Sequence, residues 1–320
     1  MRKGIFIIPY FGKFNNYFQL FLNSCKTNED FDWLIVTDDC HKFDYPSNVI
    51  VRYCSFEELK KKIQDKFDFK IALNRPYKLC DFKAAYGYIF SEEIKNYKMW
   101  GYCDTDLIFG TLSHFITDND IEKFDKIGVL GHCTLYRNTA EINKLFMALL
   151  DDRLRHKEVY TTGCNCSFDE EFNSSINNIF EQYKKNIRYT EYEANIYTKS
   201  SDFKLTYLHS NKYKYLIENA KKSFFVWDKG ELMRYYIENG KLIKQEYMYI
   251  HMQSRPMNIR LNLNHGCRRF KIIPNTFEEI ELYPVTMENF DSIRKKYFNL
   301  HYFRLRSKNL YKKLQAFIWK

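Results

Sequence analysis

The stretch KMWGYCDTDLIFG, residues 98–110, sets two carboxylates, Asp104 and Asp106, two residues apart in an otherwise apolar run. A carboxylate taken out of water is costly unless it is paired or coordinates a metal. On a strand, residues at this spacing project to the same side, so both side chains can address one point. Hard divalent cations want such oxygens, and Mg2+ commonly combines one or two carboxylates with substrate phosphates and water. The plainer alternative is a pair of strand-end aspartates capping a turn. Two further D-x-D pairs, Asp30/Asp32 and Asp118/Asp120, lack this setting: one precedes a strand, the other lies in the polar TDNDIEKFDK, and both suit turns or caps. His251, late in the apolar YMYIHMQSR, is either a satisfied core residue or a metal ligand. It becomes a ligand if its strand lies beside the D-T-D strand, where a neutral imidazole completes an Mn2+-type site.

The segment RPYKLCDFKAAYGYIF, 75–90, reads as a loop running into an amphipathic helix. Asp81 falls near the start of that helix, where free N–H groups and the dipole favour an acid. Arg75, Lys78 and Lys83 either face an anionic phosphate or are ordinary solvated charges.

These residues must be positioned by the elements around them. Apolar runs at 4–12, 32–39, 48–55, 98–109, 126–136 and 246–253 suit strands buried on both faces. Helical periodicity lies at 13–28, 56–66, 79–97, 138–155, 168–184 and 211–219. This alternation predicts an α/β fold, an open and mostly parallel sheet with helices on both faces. Such sheets bind ligands beyond the C-terminal ends of their strands. There the chain places PYFG with Pro9, Tyr10 and Phe11, TDD with Thr37 and Asp38, and CDTD with Asp104, Thr105 and Asp106. With no repeat or Pro/Gly linker before about residue 255, one catalytic domain over 1–260 and a C-terminal extension over 261–320 are expected.

A composition that is 45% hydrophobic and 18% aromatic supports a sizeable core and excludes a disordered chain. The nine cysteines include no C-x-x-C pair, the usage of free, mostly buried thiols in a reducing compartment. MRKGIFIIPYFG is interrupted by Pro9 and reads as a core strand rather than a signal peptide. No apolar run reaches the roughly 18 residues of a membrane span, so a cytoplasmic protein is expected. Nine of the ten excess positive charges lie in residues 294–320, which contain no acid.

Read together, IIPYFG, WLIVTDD, RPYKLCDFKAAYGYIF, WGYCDTDLIFG and YIHMQSR resemble a bacterial family of capsule and surface-polysaccharide glycosyltransferases, over most of residues 1–260. More distantly, CDFKAAYGYIF…WGYCDTD is similar to the signature D-x-x-R…G-G-x-Y-x-D-x-D of sugar transferases with the GT-A fold. Here the helix cation is Lys83, two rather than three residues after Asp81, and the G-G pair is reduced to Gly101. The resemblance implies Mn2+ or Mg2+ held by Asp104, Asp106 and His251 against the diphosphate of a UDP-sugar donor. It implies Tyr10 or Phe11 stacking on the base, Asp38 accepting from base or ribose, and Lys83 as a further charge for phosphate or sugar. Thr105, Pro9, Thr37, Arg75 and Asp81 fall in the same donor region. GCNCSFDEEF, 163–172, offers Asp169, Glu170 and Glu171 at the start of a predicted helix. GT-A enzymes commonly carry the acceptor-side carboxylate in such a place, so Asp169 and Glu170 are the catalytic candidates; acids there also simply suit a helix dipole.

The tail interleaves cations with aromatic and aliphatic residues. As a helix it suits an anionic leaflet, each cation contributing about 1 kcal/mol, which puts the protein on the inner face of the plasma membrane beside an oligosaccharide or lipid-linked acceptor. The same interleaving suits single-stranded nucleic acid, but the nearly neutral body and the lack of a binding motif make no nucleic-acid partner expected. A metal-dependent phosphoryl or nucleotidyl transferase is the other alternative; the single glycine of PYFGKFNNYF argues against its phosphate loop.

Overall fold

A computed structural model describes residues 2–170, 172–208, 214–219, 221–262 and 268–318. The described residues divide into two compact units. The first comprises Met1–Phe18, Leu22–Thr105 and Leu112–Glu191, the second Gln19–Phe21, Asp106–Thr111 and Tyr192–Lys320.

The first unit holds β1 (Gly4–Tyr10), β2 (Phe31–Thr37), β3 (Val49–Tyr53) and β4 (Met99–Cys103). After β5 (Leu107–Phe109), which belongs to the second unit, come β6 (Lys126–Ile127), β7 (Cys133–Arg137) and β8 (Ile187–Arg188). The sheet order is β3-β2-β1-β4-β7-β6-β8. β1, β2, β3 and β4 run parallel, while β7 is antiparallel to β4 and β6. This is the open, mostly parallel α/β sheet that the sequence predicts. All seven residues of β2 and all five of β4 are buried, as strands covered on both faces require. Ile5, Ile7, Leu34 and Val36 join the core beneath the helix Phe56–Gln64, while Phe6 and Trp33 stack together at 5.5 Å. That helix starts on a capping box between Ser55 and Glu58. Gly101 lets β7 pair with β4, since a Cβ there would stand 2.1 Å from the carbonyl oxygen of Thr134.

The strand order turns back at β1: β2 and β3 follow on one side of it and β4 on the other. The crevice beyond the ends of β1 and β4 is thus the topological switch point, where such sheets bind ligands.

Several elements differ from expectation. The single run 98–109 is two strands in different sheets, β4 and β5, separated by a turn over 104–106. Asp104 and Asp106 therefore do not share one strand face. Residues 126–136 likewise split into β6 and β7. The predicted helix at 79–97 is a 3-10 segment, Pro76–Ala85, followed by single turns at Tyr86–Ile89 and Ser91–Ile94. Six residues of that segment are buried, Lys78 and Asp81 included, so packing on several sides rather than one amphipathic stripe sets its path. The helix expected at 168–184 begins only at Ile176, capped by Ser175, so Asp169 and Glu170 lie in the turn before it. Within 211–219, Tyr215–Ile217 is a strand, and 209–213 lie outside the described residues.

The second unit carries β9 (Glu193–Ile196), β10 (Leu205–Leu208), β11 (Tyr215–Ile217), β12 (Ser223–Asp228), β13 (Glu231–Glu238) and β14 (Lys241–Glu246). β15 (Tyr249–His251), β16 (Asn258–Arg260), β17 (Arg269–Ile273) and β18 (Thr276–Glu279) follow. They form sheets of order β11-β10-β9-β15-β5 and β14-β13-β12-β17-β18-β16. The indole N–H of Trp227 on β12 donates to the Phe109 carbonyl on β5 at 2.9 Å, tying the two sheets together. Most of these strands have no counterpart among the expected elements. The helix Leu300–Ile318 is present in the basic tail, and no helix among the described residues is long and apolar enough to cross a membrane.

Candidate metal site and acid–base cluster

Antiparallel pairing of β15 with β5 sets His251 opposite Leu107, and parallel pairing with β9 sets it beside Asn195. After His251 the pairing extends by one bond, Met252 N–H to the Asp106 carbonyl at 3.0 Å. Gln253 and Ser254 then both take left-handed backbone, with φ of 54° and 52°. Side-chain-bearing residues rarely adopt this conformation. Here the turn aims the Ser254 N–H at Asp106 Oδ2, 2.5 Å away.

The other carboxylate oxygen, Oδ1, lies 3.3 Å from His251 Nε2. On the far side of the imidazole, Nδ1 lies 3.1 Å from Asn195 Oδ1, which also accepts from Gln253 Nε2 at 2.7 Å. An amide oxygen only accepts, so Nδ1 carries the hydrogen and Nε2 faces the carboxylate. Two acceptors meet in this way only with a proton or a cation between them. Metal-binding histidines are anchored through their other nitrogen in the same manner. His251 and Asp106 are 6% and 8% exposed. Burial works against the Asp106 charge, but His251 and the Ser254 N–H outweigh it and hold the carboxyl below its usual range. With Asp104, two residues upstream, they make a group of side chains able to hold a metal ion. Two carboxylates and an imidazole are ligands that divalent cations take.

Within the first unit, Asp104 follows β4, and its N–H donates to the His132 carbonyl. Its Oδ1 lies 3.0 Å from Lys83 Nζ. The same ammonium donates to the Gly131 carbonyl at 2.7 Å and stands 3.4 Å from Asp169 Oδ2. Gly131 returns its N–H to Glu170 Oε2 at 3.0 Å. A Cβ there would stand 2.6 Å from Asp169 Oδ2 and 2.9 Å from Glu170 Oε2, so any larger residue would push these carboxylates aside. Burial disfavours the Lys83 charge, yet Asp104 and Asp169 prevail and hold the ammonium well above its ordinary range. Burial pushes the Asp169 carboxyl up to about 7, with Lys83 opposing and Glu170 and Asp104 adding to the rise. Asp104, Lys83, Asp169 and Glu170, chosen from sequence, are thus one connected cluster; Glu171 lies outside the described residues.

At the ends of β1 and β2, Asp38 is exposed and accepts the Gly12 N–H at 2.7 Å. Thr37 is buried and accepts from the Asp39 N–H through its hydroxyl. Gly12, Lys13, Asp38, Asp39, Cys40 and His41 line a cavity of about 460 Å3. Pro9 and the two aromatics after it are half-buried. Tyr10 stacks on Phe14 at 4.6 Å, and Phe11 packs edge-on against Phe56 at 5.5 Å. Thr105 is buried, with its carbonyl 3.4 Å from Asn15 Nδ2.

Asp81 is fully buried and meets protein groups: Lys78 Nζ at 2.7 Å and the N–H groups of Cys166 and Phe168 at 3.0 and 3.1 Å. Rather than occupying a helix N-terminus, it pins the loop that carries Asp169. Arg75 is exposed and donates to Asn165 Oδ1 at 2.9 Å. Sequence reasoning missed Asn195, Gln253, Ser254 and Gly131. The Gln-Ser pair at 253–254, separated from His251 by Met252, and the glycine in VLGHC were the available signals.

The chain belongs to a family of unknown function, DUF6625, whose model matches residues 6–281. No curated protein matches it. Among solved structures it is similar to the galactosyltransferase LgtC in complex with donor and acceptor sugar analogs, at 11% identity and a TM-score of 0.33. The likeness covers 60% of this chain and 75% of that one.

Proposed function

We propose that the protein is a metal-dependent glycosyltransferase of GT-A type that moves a hexose from a UDP-sugar to a surface-polysaccharide acceptor. The observation that carries this reading is the buried Asp106–His251 pair, with Asn195 fixing the imidazole so that Nε2 and the carboxylate face each other at 3.3 Å, next to Asp104. Asp104, Asp106 and His251 would hold Mn2+ or Mg2+, whose chemistry is to neutralise charge that develops on the leaving diphosphate. Asp38 would accept from base or ribose in the cavity at the end of β2, with Tyr10 or Phe11 against the base and Arg75 and Lys83 supplying positive charge. Asp169, beside Lys83, would take the proton of the acceptor hydroxyl, with Glu170 holding the Gly131 loop; a carboxyl near 7 is matched to that task at neutral pH.

Residues 1–260 would carry the transfer chemistry and 261–320 the attachment to a membrane. Phe298, Phe303, Leu310 and Tyr311 are exposed among the tail's cations, a surface suited to an anionic leaflet that presents a lipid-linked acceptor. The tail begins anchored, with Tyr302 buried against the Arg255 guanidinium at 4.6 Å and Lys296 paired to Asp202. The experiment is to incubate the protein with UDP-glucose and UDP-galactose, with and without Mn2+, and follow UDP release. Metal-dependent release from either donor supports the transferase; turnover of nucleoside triphosphates alone supports phosphoryl or nucleotidyl transfer instead.

A further inference from the structure

Lys83 contacts Asp104, and its three partners define what it does. Its ammonium stands 3.0 Å from Asp104 Oδ1 and 3.4 Å from Asp169 Oδ2, with the Gly131 carbonyl at 2.7 Å between their segments. The Tyr102 ring closes the fourth side, 5.2 Å from the nitrogen to its centroid. The Lys83 side chain is 15% exposed and that of Asp104 36%, so water screens this pair only in part. Asp104 therefore has its charge balanced by a lysine, and a divalent cation at the same oxygen competes with that lysine. Two cations against one carboxylate oxygen repel each other, so each weakens the binding of the other there. Asp169 offers the ammonium a second position a short swing away, and an incoming diphosphate offers a third.

We propose that Lys83 is an internal counter-ion to Asp104 that makes metal and nucleoside diphosphate bind cooperatively. Held on Asp104, it weakens binding of the metal alone. Drawn off towards Asp169 and the diphosphate, it frees the carboxylate oxygen. Each ligand thus raises the affinity for the other by the same factor, as linkage requires. The inference rests on the transferase reading above, because it takes Asp104 as a metal ligand. It adds that Lys83 is a positioning residue that couples two ligands, beyond supplying charge to one of them.

The test is titration calorimetry with Mn2+ alone, and again with UDP present, on the full chain and two variants whose folding is checked by thermal melting. Lys83→Met should bind Mn2+ alone about tenfold more tightly than the parent protein, while UDP enhances Mn2+ affinity several-fold less than it does in the parent. Asp169→Asn, which leaves Asp104 as the ammonium's sole carboxylate partner, should weaken Mn2+ alone several-fold and increase the enhancement by UDP. A coupling factor unchanged by Lys83→Met would overturn the proposal, because simple charge removal shifts metal affinity without altering coupling. If Lys83→Met fails to fold, the Asp169→Asn arm alone decides: an unchanged or reduced enhancement by UDP contradicts the proposal. Failure of the parent protein to bind Mn2+ even with UDP would instead sink the transferase reading itself.

Discussion

His251 and Asn195 face each other across the parallel pair β15 and β9, imidazole Nδ1 to amide Oδ1 at 3.1 Å. Because Gln253 also donates to that oxygen, the amide cannot turn without losing a bond, and the imidazole cannot turn without losing Asn195. The ring is thereby fixed with Nε2 towards Asp106, before any ligand is considered.

Replacing Asn195 by Ala should leave the fold in place and lower Mn2+ affinity roughly 10–100-fold, the usual cost of losing a group that orients a ligating histidine. Calorimetry with Mn2+ in the presence of UDP checks it. An unchanged affinity would show that His251 is positioned by its strand alone.

Asp81→Asn should destabilise the protein by about 3–5 kcal/mol, because it strands Lys78 in the interior; the two are 0% and 1% exposed. Urea unfolding measures the loss. The same variant should slow transfer, since Asp81 holds the N–H groups of Cys166 and Phe168 and with them the loop bearing Asp169.

Gly131→Ala should cut activity more than stability. Its Cβ would meet Asp169 Oδ2 at 2.6 Å and Glu170 Oε2 at 2.9 Å, so Asp169 must shift from Lys83 and Glu170 from the Gly131 N–H. Steady-state rates set beside the melting temperature separate the two effects, and equal losses in both would argue for a merely structural glycine.

His156 supplies a pH dependence of stability. Burial, with the Lys157 charge adding, pushes its imidazole down from 6.5 to about 4. Between those values the unfolded chain binds a proton that the folded chain does not, so stability rises with pH there. The contribution is complete above about 6.5 and is lost as pH falls through 4, with a slope approaching 1.4 kcal/mol per pH unit. Urea midpoints from pH 7 to 4 should fall less steeply in His156→Phe than in the parent; identical slopes would refute this.

Much of the first unit was legible in the sequence because buried parallel strands write themselves as continuous apolar runs, as FDWLIVT does. The second unit was not, because strands such as KLIKQE and ELMRYYIE mix charge with apolar residues and gain their pairing from distant partners. The same cause misplaced the chain at 98–109, where one apolar run serves two sheets and nothing in its composition marks the change at Asp104. Asp118/Asp120 was legible as a cap: Thr117 and Asp120 form a capping box. Local chemistry also singled out Asp104, Asp106 and His251, since a charge in an apolar run needs a reason. The partner that orients His251, Asn195, is set by long-range register, which a single sequence does not record.

The central claim is that Asp106 and His251, with Asp104, hold a cation for a diphosphate. Calorimetric titration with UDP, with and without Mn2+, tests it most directly. The account predicts UDP binding that depends on Mn2+ and is abolished in Asp106→Ala with the fold retained. UDP binding of equal strength with and without the metal, or none under either condition, would contradict it.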